Sequence, residues 1–364
     1  RPVGAGVYTI AIARGLAARE GVELHLVTRR SDAERWPAVA AGAVVHPVAP
    51  DRRPVRLAWE QMGARAVIGD VAPDVWHGPH YTMPLRASVP TVVTIHDLTF
   101  FDHPEYHERS KVVYFRQMIR LAAKRASVLI CVSEYTAARL RALCAPKGDV
   151  VVVPHGVDHA QFHPGGDEAA DLAALAAHGI APPYLAFAGT FEPRKNLPAL
   201  VQAFARCAVA HPEVRLVLAG SDGWGATEAR NAIATSGVAT RILRPGYLAG
   251  DALTALFRRA EAVVYPSIEE GFGLPALEAM ACGTPLVTSI GTALGEVAGD
   301  AALLVPPTDT DALAAAITTA LDDPATAARL RAAGPVRAAA FTWDASVEGH
   351  ASAYERAVGA SMRG

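Results

Sequence analysis

Tyr265-Pro-Ser-Ile-Glu-Glu-Gly-Phe-Gly-Leu-Pro-Ala-Leu-Glu-Ala-Met-Ala-Cys-Gly-Thr-Pro-Leu-Val-Thr288 is the stretch whose reading decides the fold. An apolar strand over Ala262–Tyr265 runs into a polar, glycine-containing loop. A helix opens at Pro275, which suits a first helical turn because its missing N–H had no intrahelical partner. Gly283 and Pro285 close that helix, and Pro-Leu-Val-Thr starts the next strand. The order is strand, loop, helix, strand, the repeating unit of an α/β fold.

The loop is where chemistry is expected. Gly271 and Gly273 let the backbone approach a ligand. The N–H groups from Gly271 through Phe272 and Gly273 to Leu274 lie near a helix N-terminus, where unpaired donors and the helix dipole favour an electron-rich partner. Glu270 stands before this run, and Glu278 lies eight residues later. Each carboxylate can accept from a pair of hydroxyls while the N–H groups donate to other oxygens, so the set suits a polyhydroxyl ligand. The same residues also describe a well-capped helix whose glutamates favour its dipole, and the loop alone leaves both readings open.

The run E-G-F-G-L-P-A-L-E-A-M-A-C-G-T-P closely resembles the signature of retaining glycosyltransferases of family 4, which have the GT-B fold: two Rossmann-like α/β domains facing across a cleft. Their hallmark is two glutamates with seven residues between them, as at Glu270 and Glu278. The resemblance implies that Glu270 contacts a donor sugar, that Glu278 binds the ribose hydroxyls of a nucleotide, and that the amides of Gly271, Phe272, Gly273 and Leu274 hold the sugar.

Bulk properties fit. A chain of 364 residues is long for one core, so two domains are the default. An apolar share of 51% with a net charge of −2 points to a globular protein with a sizeable core and away from a general nucleic-acid binder. No apolar run reaches the roughly 18–20 residues that span a bilayer, and no signal peptide is visible. The four cysteines form no close metal-type pair. Cys131 and Cys282, with apolar neighbours, read as buried thiols of a reducing compartment. The expected location is the cytoplasm, with peripheral contact to the cytoplasmic membrane face left open.

Working outward to the N-terminus, Gly4-Ala5-Gly6 precedes a helix with apolar positions Val7, Ile10, Ala11 and Leu16. A glycine turn feeding a helix can cradle a phosphate, and the resemblance assigns Gly4 and Gly6 to the donor diphosphate. Family members have a strand before this turn, so the resemblance implies that the chain lacks the first strand and that residues near Pro2–Gly4 are also open to question. Asp51–Pro54 reads as a solvated loop. Thr91–Ile95 is a strand ending in His96-Asp97, and ligands of open α/β sheets sit outside the carboxyl ends of strands. The family carries a histidine there that approaches the donor sugar and transferring phosphate, so His96 is a catalytic candidate. Asp74–His77 is a further short apolar strand; His77 with His80 and His103 with His107 lack the further ligands of a zinc pattern and read as polar loop residues. Ser133 is the expected N-cap of a helix over Glu134–Leu143. Gln161–Ala181, alanine-rich and loosely patterned, reads as the linker and entry to the second domain.

The pattern restarts at the strand Tyr184–Ala188, which ends in Gly189-Thr-Phe-Glu-Pro-Arg-Lys-Asn196. Two cations after a strand end suit a diphosphate, although a basic surface loop partnered by Glu192 reads equally well from the residues. The family places an arginine and a lysine on the donor phosphates. Lys195 matches the lysine, Thr190 stands where many members have the arginine, and Arg194 can supply the second charge. The G-T-x-E-P-R-K-N variant resembles bacterial mannosyltransferase-like members and favours GDP-mannose over a UDP-sugar. After a short strand at Ile242-Leu243, the resemblance puts Tyr247 and Leu248 at the nucleotide base. Asp251 reads as the cap of a helix over Ala252–Ala260. Asp309-Thr-Asp311 precedes an alanine-rich helix and reads as capping rather than a metal–diphosphate motif.

The expected organisation is therefore an acceptor-side domain over 1–160, a nucleotide-sugar domain over 161–342, and a terminal helix over 343–364 that crosses back to the first domain. The expected activity is retaining, metal-independent and cofactor-free transfer of a sugar from a nucleotide diphosphate to a hydroxyl of a glycan, glycolipid or small glycoside. Two competitors are a sugar-nucleotide epimerase of similar fold and a non-catalytic nucleotide-sugar-binding protein. A nicotinamide-dependent oxidoreductase would need a fuller dinucleotide fingerprint than Gly4-Ala5-Gly6.

Overall fold

The computed structural model describes residues 4–362; the questioned residues around Pro2 lie outside them. The chain divides into two compact units, Arg1–Gly156 with Trp343–Gly364, and Val157–Thr342.

The first unit holds β1 (His25–Arg29), β2 (Val44–Ala49), β3 (Trp76–Gly78), β4 (Thr91–Ile95), β5 (Val128–Cys131) and β6 (Asp149–Val152). β1 and β2 form a parallel pair, and β3-β4-β5-β6 form a parallel sheet in chain order. Every residue of β4 and β5 is buried, as expected for parallel strands covered on both faces. One layer is the helix Arg109–Arg125, which buries Phe115, Ile119 and Ala122 against Val93, Ile95 and Leu129. On the other side, Ala353 and Ala357 of the C-terminal helix, Trp343–Ser361, cluster with Val92, Val128 and Ile130. The terminal helix is thus part of the first unit's core.

The first helix, Ala5–Ala17, buries a face of Tyr8, Ile12, Ala13 and Leu16, while the apolar positions Val7, Ile10 and Ala11 are only partly covered. Tyr8 sets that face, because a tyrosine is buried where its hydroxyl finds partners, and this one has two. Pro54 opens a helix, Arg53–Met62, so the expected loop is shorter than the sequence suggested. His77, grouped with His80 as a loop residue, sits in β3, where the strand over Asp74–His77 was expected.

The second unit holds β7 (Tyr184–Ala188), β8 (Arg215–Ala219), β9 (Ile242–Gly246), β10 (Ala262–Tyr265), β11 (Leu286–Ser289) and β12 (Leu303–Val305). They form one sheet in the order β12-β11-β10-β7-β8-β9, with every pairing parallel. Counted within the unit this is the doubly wound order 6-5-4-1-2-3, and it reverses between β7 and β10, where such folds bind ligands. The expected linker Gln161–Ala181 instead contains a helix, Glu168–Ala176, capped by Asp167. Its Asp171 is buried and paired with Arg258 (2.7 Å) and Arg259 (2.8 Å). A buried charge of this kind reads from sequence as an exposed polar residue, which hid the helix. The helix after β9 starts at Asp251 itself, with Gly250 before it and no side-chain cap. Ser133 and Asp309 do cap their helices, accepting from the N–H groups of Thr136 and Ala312.

Candidate functional site

β7 and β10 are neighbours, and the loops leaving their carboxyl ends carry the cluster of greatest chemical interest. The loop after β7 delivers Arg194 and Lys195. The loop after β10 delivers Glu270, and the two loops are tied by a hydrogen bond from Ile268 N–H to the Arg194 carbonyl at 2.7 Å. The Lys195 ammonium donates to Glu270 Oε1 and to the Tyr265 hydroxyl. Arg194 donates to Glu270 Oε2 at 2.5 Å and, through Nε, to Glu192 at 2.8 Å. Lys195 and Glu270 are each only 6% exposed, which makes this a buried ionic cluster rather than a surface pair.

Burial alone would raise the Glu270 carboxyl, but the Arg194 and Lys195 cations hold it down at about 2. Burial and the adjacent Arg194 push the Lys195 ammonium below its ordinary value, against the pull of Glu270. Burial and the Glu270 carboxylate push the Tyr265 phenol well above its ordinary range, so it stays a neutral hydroxyl. The Lys195 ammonium also lies 4.7 Å from the Tyr265 ring centroid. Two cations meet two carboxylates here, Glu270 and the more exposed Glu192, so a diphosphate would compete for cations that are already paired.

Glu278 is different. It sits on the helix Leu274–Ala281, partly exposed, and its carboxylate has no hydrogen-bond or ion-pair partner among the described residues. Burial pushes it up to about 7. A carboxylate held apart from any protein donor is available to accept from a ligand's hydroxyls. Between the two glutamates, Gly273 immediately precedes the helix, whose first internal bond runs from Ala276 N–H to the Gly273 carbonyl at 3.0 Å. The Phe272 side chain is committed to packing on Phe341, 5.8 Å between centroids, so its contribution to a ligand is confined to its backbone. Leu274 is also buried.

Thr190 follows β7, and Tyr247 and Leu248 follow β9, all on the same edge of the sheet. Leu248 is buried and Tyr247 partly so. Thr190 is not in the ionic cluster, where Arg194 is the second cation beside Lys195. Tyr265 is a member that sequence reasoning missed. As the last residue of an apolar strand it read as core, and only its hydroxyl reveals the other role.

In the first unit, His96 follows β4 and its Nε2–H donates to the Pro79 carbonyl at 2.8 Å. Burial pushes its pKa down, opposed by that carbonyl and by Asp97. The neutral ring therefore has Nδ1 as its bare nitrogen. Tyr8, in the helix that begins directly after Gly4 and includes Gly6, meets the His96 ring edge-on at 4.9 Å. His155 lies 5.6 Å from the same ring and was not singled out from sequence. His103 pairs with Glu105 and His107 with Thr99, as polar residues outside any metal cluster. Among the described residues no group of three or more His, Cys, Asp or Glu is placed to hold a metal ion, and no helix is long and apolar enough to cross a membrane.

Two units, each built on parallel-stranded α/β sheets, are the architecture of GT-B glycosyltransferases. The solved sucrose-phosphate synthase from Thermosynechococcus elongatus superposes with a TM-score of 0.80 and 26% identity over 97% of this chain and 93% of that one. The family model described as "Glycosyltransferase Family 4" matches residues 2–161, and "Glycosyl transferases group 1" matches residues 176–337. The chain is 32% identical to O-antigen chain mannosyltransferase B of Escherichia coli over 80% of its length and 74% of that protein. It is 30% identical to the D-inositol 3-phosphate glycosyltransferase of Kineococcus radiotolerans over 98% of its length and 91% of that protein. The chain belongs to the family 4, group 1 glycosyltransferases, and is a glycosyltransferase enzyme.

Proposed function

We propose that the chain is a retaining hexosyltransferase that takes mannose from GDP-mannose, with no metal or other cofactor, and places it on a hydroxyl of a glycan, lipid-linked glycan or small glycoside in the cytoplasm. The observation that carries the reading is the pairing of a buried Arg194–Lys195–Glu270 cluster with the unpartnered Glu278 eight residues on. The choice of mannose rests on the G-T-x-E-P-R-K-N loop and on the likeness to a protein named as a mannosyltransferase.

In this reading Arg194 and Lys195 meet the donor diphosphate, and Glu278 accepts from the ribose diol. Glu270 holds the cations in register and contacts the sugar, helped by the amides of Gly271 to Leu274. Tyr247 and Leu248 flank the base, and Thr190, Gly4 and Gly6 lie along the donor. His96, neutral, accepts at Nδ1 from a sugar hydroxyl. The bond from the anomeric carbon to the phosphate oxygen breaks as the acceptor oxygen bonds on the same face. The leaving phosphate takes the acceptor's proton, so neither glutamate serves as nucleophile. Charge builds on the departing diphosphate, where preorganised cations act most strongly.

The test is calorimetry with GDP-mannose, UDP-glucose, UDP-N-acetylglucosamine and the parent nucleotides, followed by slow-hydrolysis assays with and without chelator. Selective GDP-mannose binding with release of GDP in chelator is the expected result. Binding of a UDP-sugar alone would overturn the donor assignment, and silence across the panel would overturn the reading of the site.

A further inference from the structure

Five hydrogen bonds in the first unit link the C-terminal helix to the ring beside His96. His350 Nδ1 meets the Ser346 carbonyl at 2.7 Å, and His350 Nε2 meets the Tyr8 hydroxyl at 2.7 Å. The Tyr8 hydroxyl meets Thr94 Oγ1 at 2.8 Å, Thr94 Oγ1 meets His77 Nε2 at 2.9 Å, and His77 Nδ1 meets the Tyr354 hydroxyl at 2.8 Å. Tyr8, Thr94 and His350 are fully buried.

The protons in this chain have one consistent arrangement when both histidines are neutral. The Ser346 carbonyl can only accept, so His350 carries its proton on Nδ1 and its Nε2 is bare. Tyr8 must then donate to Nε2, and its oxygen must accept from Thr94. Thr94 has spent its single proton, so His77 donates through Nε2–H. His77 Nδ1 is bare and accepts from Tyr354. Burial keeps both rings neutral, pushing His350 down to about 4 and His77 well below its ordinary value. One acceptor-only carbonyl thus fixes two tautomers and three hydroxyl rotors, and the Tyr8 hydroxyl is held from two sides.

Tyr8 is the consequence-bearing member. Its ring contacts His96 at 4.9 Å with the planes at 81°, and contacts His155 at 4.9 Å. Its N–H bonds to the Gly4 carbonyl at 3.1 Å, at the glycine turn that starts the helix. We propose that His350 and Tyr8 are positioning residues for sugar transfer: through the hydroxyl of Tyr8, the C-terminal helix sets the orientation of the His96 ring. The proposal rests on the reading of His96 as a residue of the transfer site. Misplacing a reacting group by about 1 Å can cost up to about 100-fold in rate, so a slackened Tyr8 is expected to lower kcat without altering donor affinity.

The test combines imidazole nitrogen NMR of the full-length protein, with histidine labelled, and kinetics with GDP-mannose. The variants are Tyr8→Phe, which keeps the ring, His350→Leu, which removes the acceptor, and His350→Gln, whose amide oxygen can replace Nε2. The expected result is that the His96 ring signals move in Tyr8→Phe and His350→Leu and return in His350→Gln. In the same pattern kcat falls about tenfold and recovers, while GDP affinity by calorimetry stays within about twofold of the parent. His96 signals that stay put in both disruptive variants overturn the proposal, as does an unchanged kcat alongside moved signals. Absence of GDP-mannose turnover by the parent protein is a failure of the donor assignment instead, and the His96 signals then decide the proposal alone. Tyr8→Phe covers the case in which His350→Leu does not fold.

Discussion

Lys195 and Glu270 form a buried ion pair between the loops that leave two adjacent strands, and Arg194 holds the second oxygen of the same carboxylate. Glu270 therefore neutralises part of the charge that would meet a diphosphate. Glu270→Gln keeps the shape and removes that negative charge. GDP should then bind about tenfold more tightly, the equivalent of roughly 1.4 kcal/mol, while sugar transfer falls by about 100-fold or more. Calorimetry and a transfer assay on the same preparation separate the two effects. Weaker GDP binding in the variant would mean that the cations are aimed elsewhere. Lys195→Ala should lose both affinity and transfer yet remain folded, because Arg194 still compensates Glu270.

Glu278 gives a pH signature. Its carboxyl is raised from 4.5 to about 7, so the free protein holds a proton there at mildly acidic pH. A ribose diol donates to the ionised form, so binding expels that proton. GDP affinity should climb between pH 5.5 and 7, by up to about tenfold per pH unit, and level off above. For folding the sign is opposite. The folded state binds more protons than the unfolded one between 4.5 and 7, so this residue's contribution is full below 4.5 and is lost as pH rises through 7. Glu278→Gln should flatten the binding curve, and an unchanged slope in that variant would remove Glu278 from the nucleotide site.

His350 makes the protein acid-labile. Its ring is 0% exposed, with its pKa depressed from 6.5 to about 4 by burial. The unfolded chain takes up a proton below pH 6.5 that the folded chain refuses until about pH 4. The stability contribution is complete above 6.5 and is lost on acidification through that window, by about 3 kcal/mol for this residue. His77 and His155, also depressed by burial, act in the same direction, whereas Glu278 opposes them. Comparing denaturant midpoints of parent and His350→Gln at pH 7 and pH 4.5 isolates the residue. The variant should show the shallower loss, since a glutamine cannot take up the proton.

The sequence carried the strands from Tyr184 onward and the placement of Lys195 and Glu270 on the loops after two of them, because those two strands run straight into a glycine or a proline. Periodicity and turn residues are local signals, and the site's charged members lie within a few positions of them. What escaped was long-range. Tyr8 meets Thr94 across 86 positions and His350 across 342, and no local pattern encodes either partner. The buried face of the first helix escaped for the same reason, since it is set by a hydroxyl's partners rather than by the apolar count. Arg194 and Lys195 were both visible as cations, but only a fold that brings Glu270 beside them shows that they share one carboxylate.

Asp171 shows the energetic side of that blindness. It lies on a helix that the sequence offered as linker, and it accepts from both Arg258 and Arg259 at 4% exposure. Asp171→Ala leaves two arginines facing a partner that is gone, which costs about 3–5 kcal/mol in a buried setting. Urea melts should show that loss with the slope of the transition unchanged. A change under about 1 kcal/mol would put the pair in the class of solvent-screened contacts.

Gly220, at the end of β8, has φ +148°, and a Cβ built there would sit 1.9 Å from the Gly189 carbonyl oxygen. The neighbouring backbone cannot step aside cheaply. Gly189 closes β7, and its N–H bonds the Ala219 carbonyl at 2.9 Å while Gly220 N–H bonds the Gly246 carbonyl at 2.8 Å. Three strand ends are thereby fixed together on the edge that carries Thr190, Lys195 and Tyr247. Gly220→Ala should cost more than about 3 kcal/mol, because strain and a backbone clash add. Gly237→Ala is the matched control: φ is +76° there, but nothing lies within 4 Å of the added carbon, so only backbone strain of about 1–2 kcal/mol remains. If both variants lose the same stability, the close approach of the two strand ends contributes nothing, and GDP binding in Gly220→Ala should then survive. If the clash is real, GDP binding falls with stability, since the loops that present Thr190 and Lys195 move with the strand end.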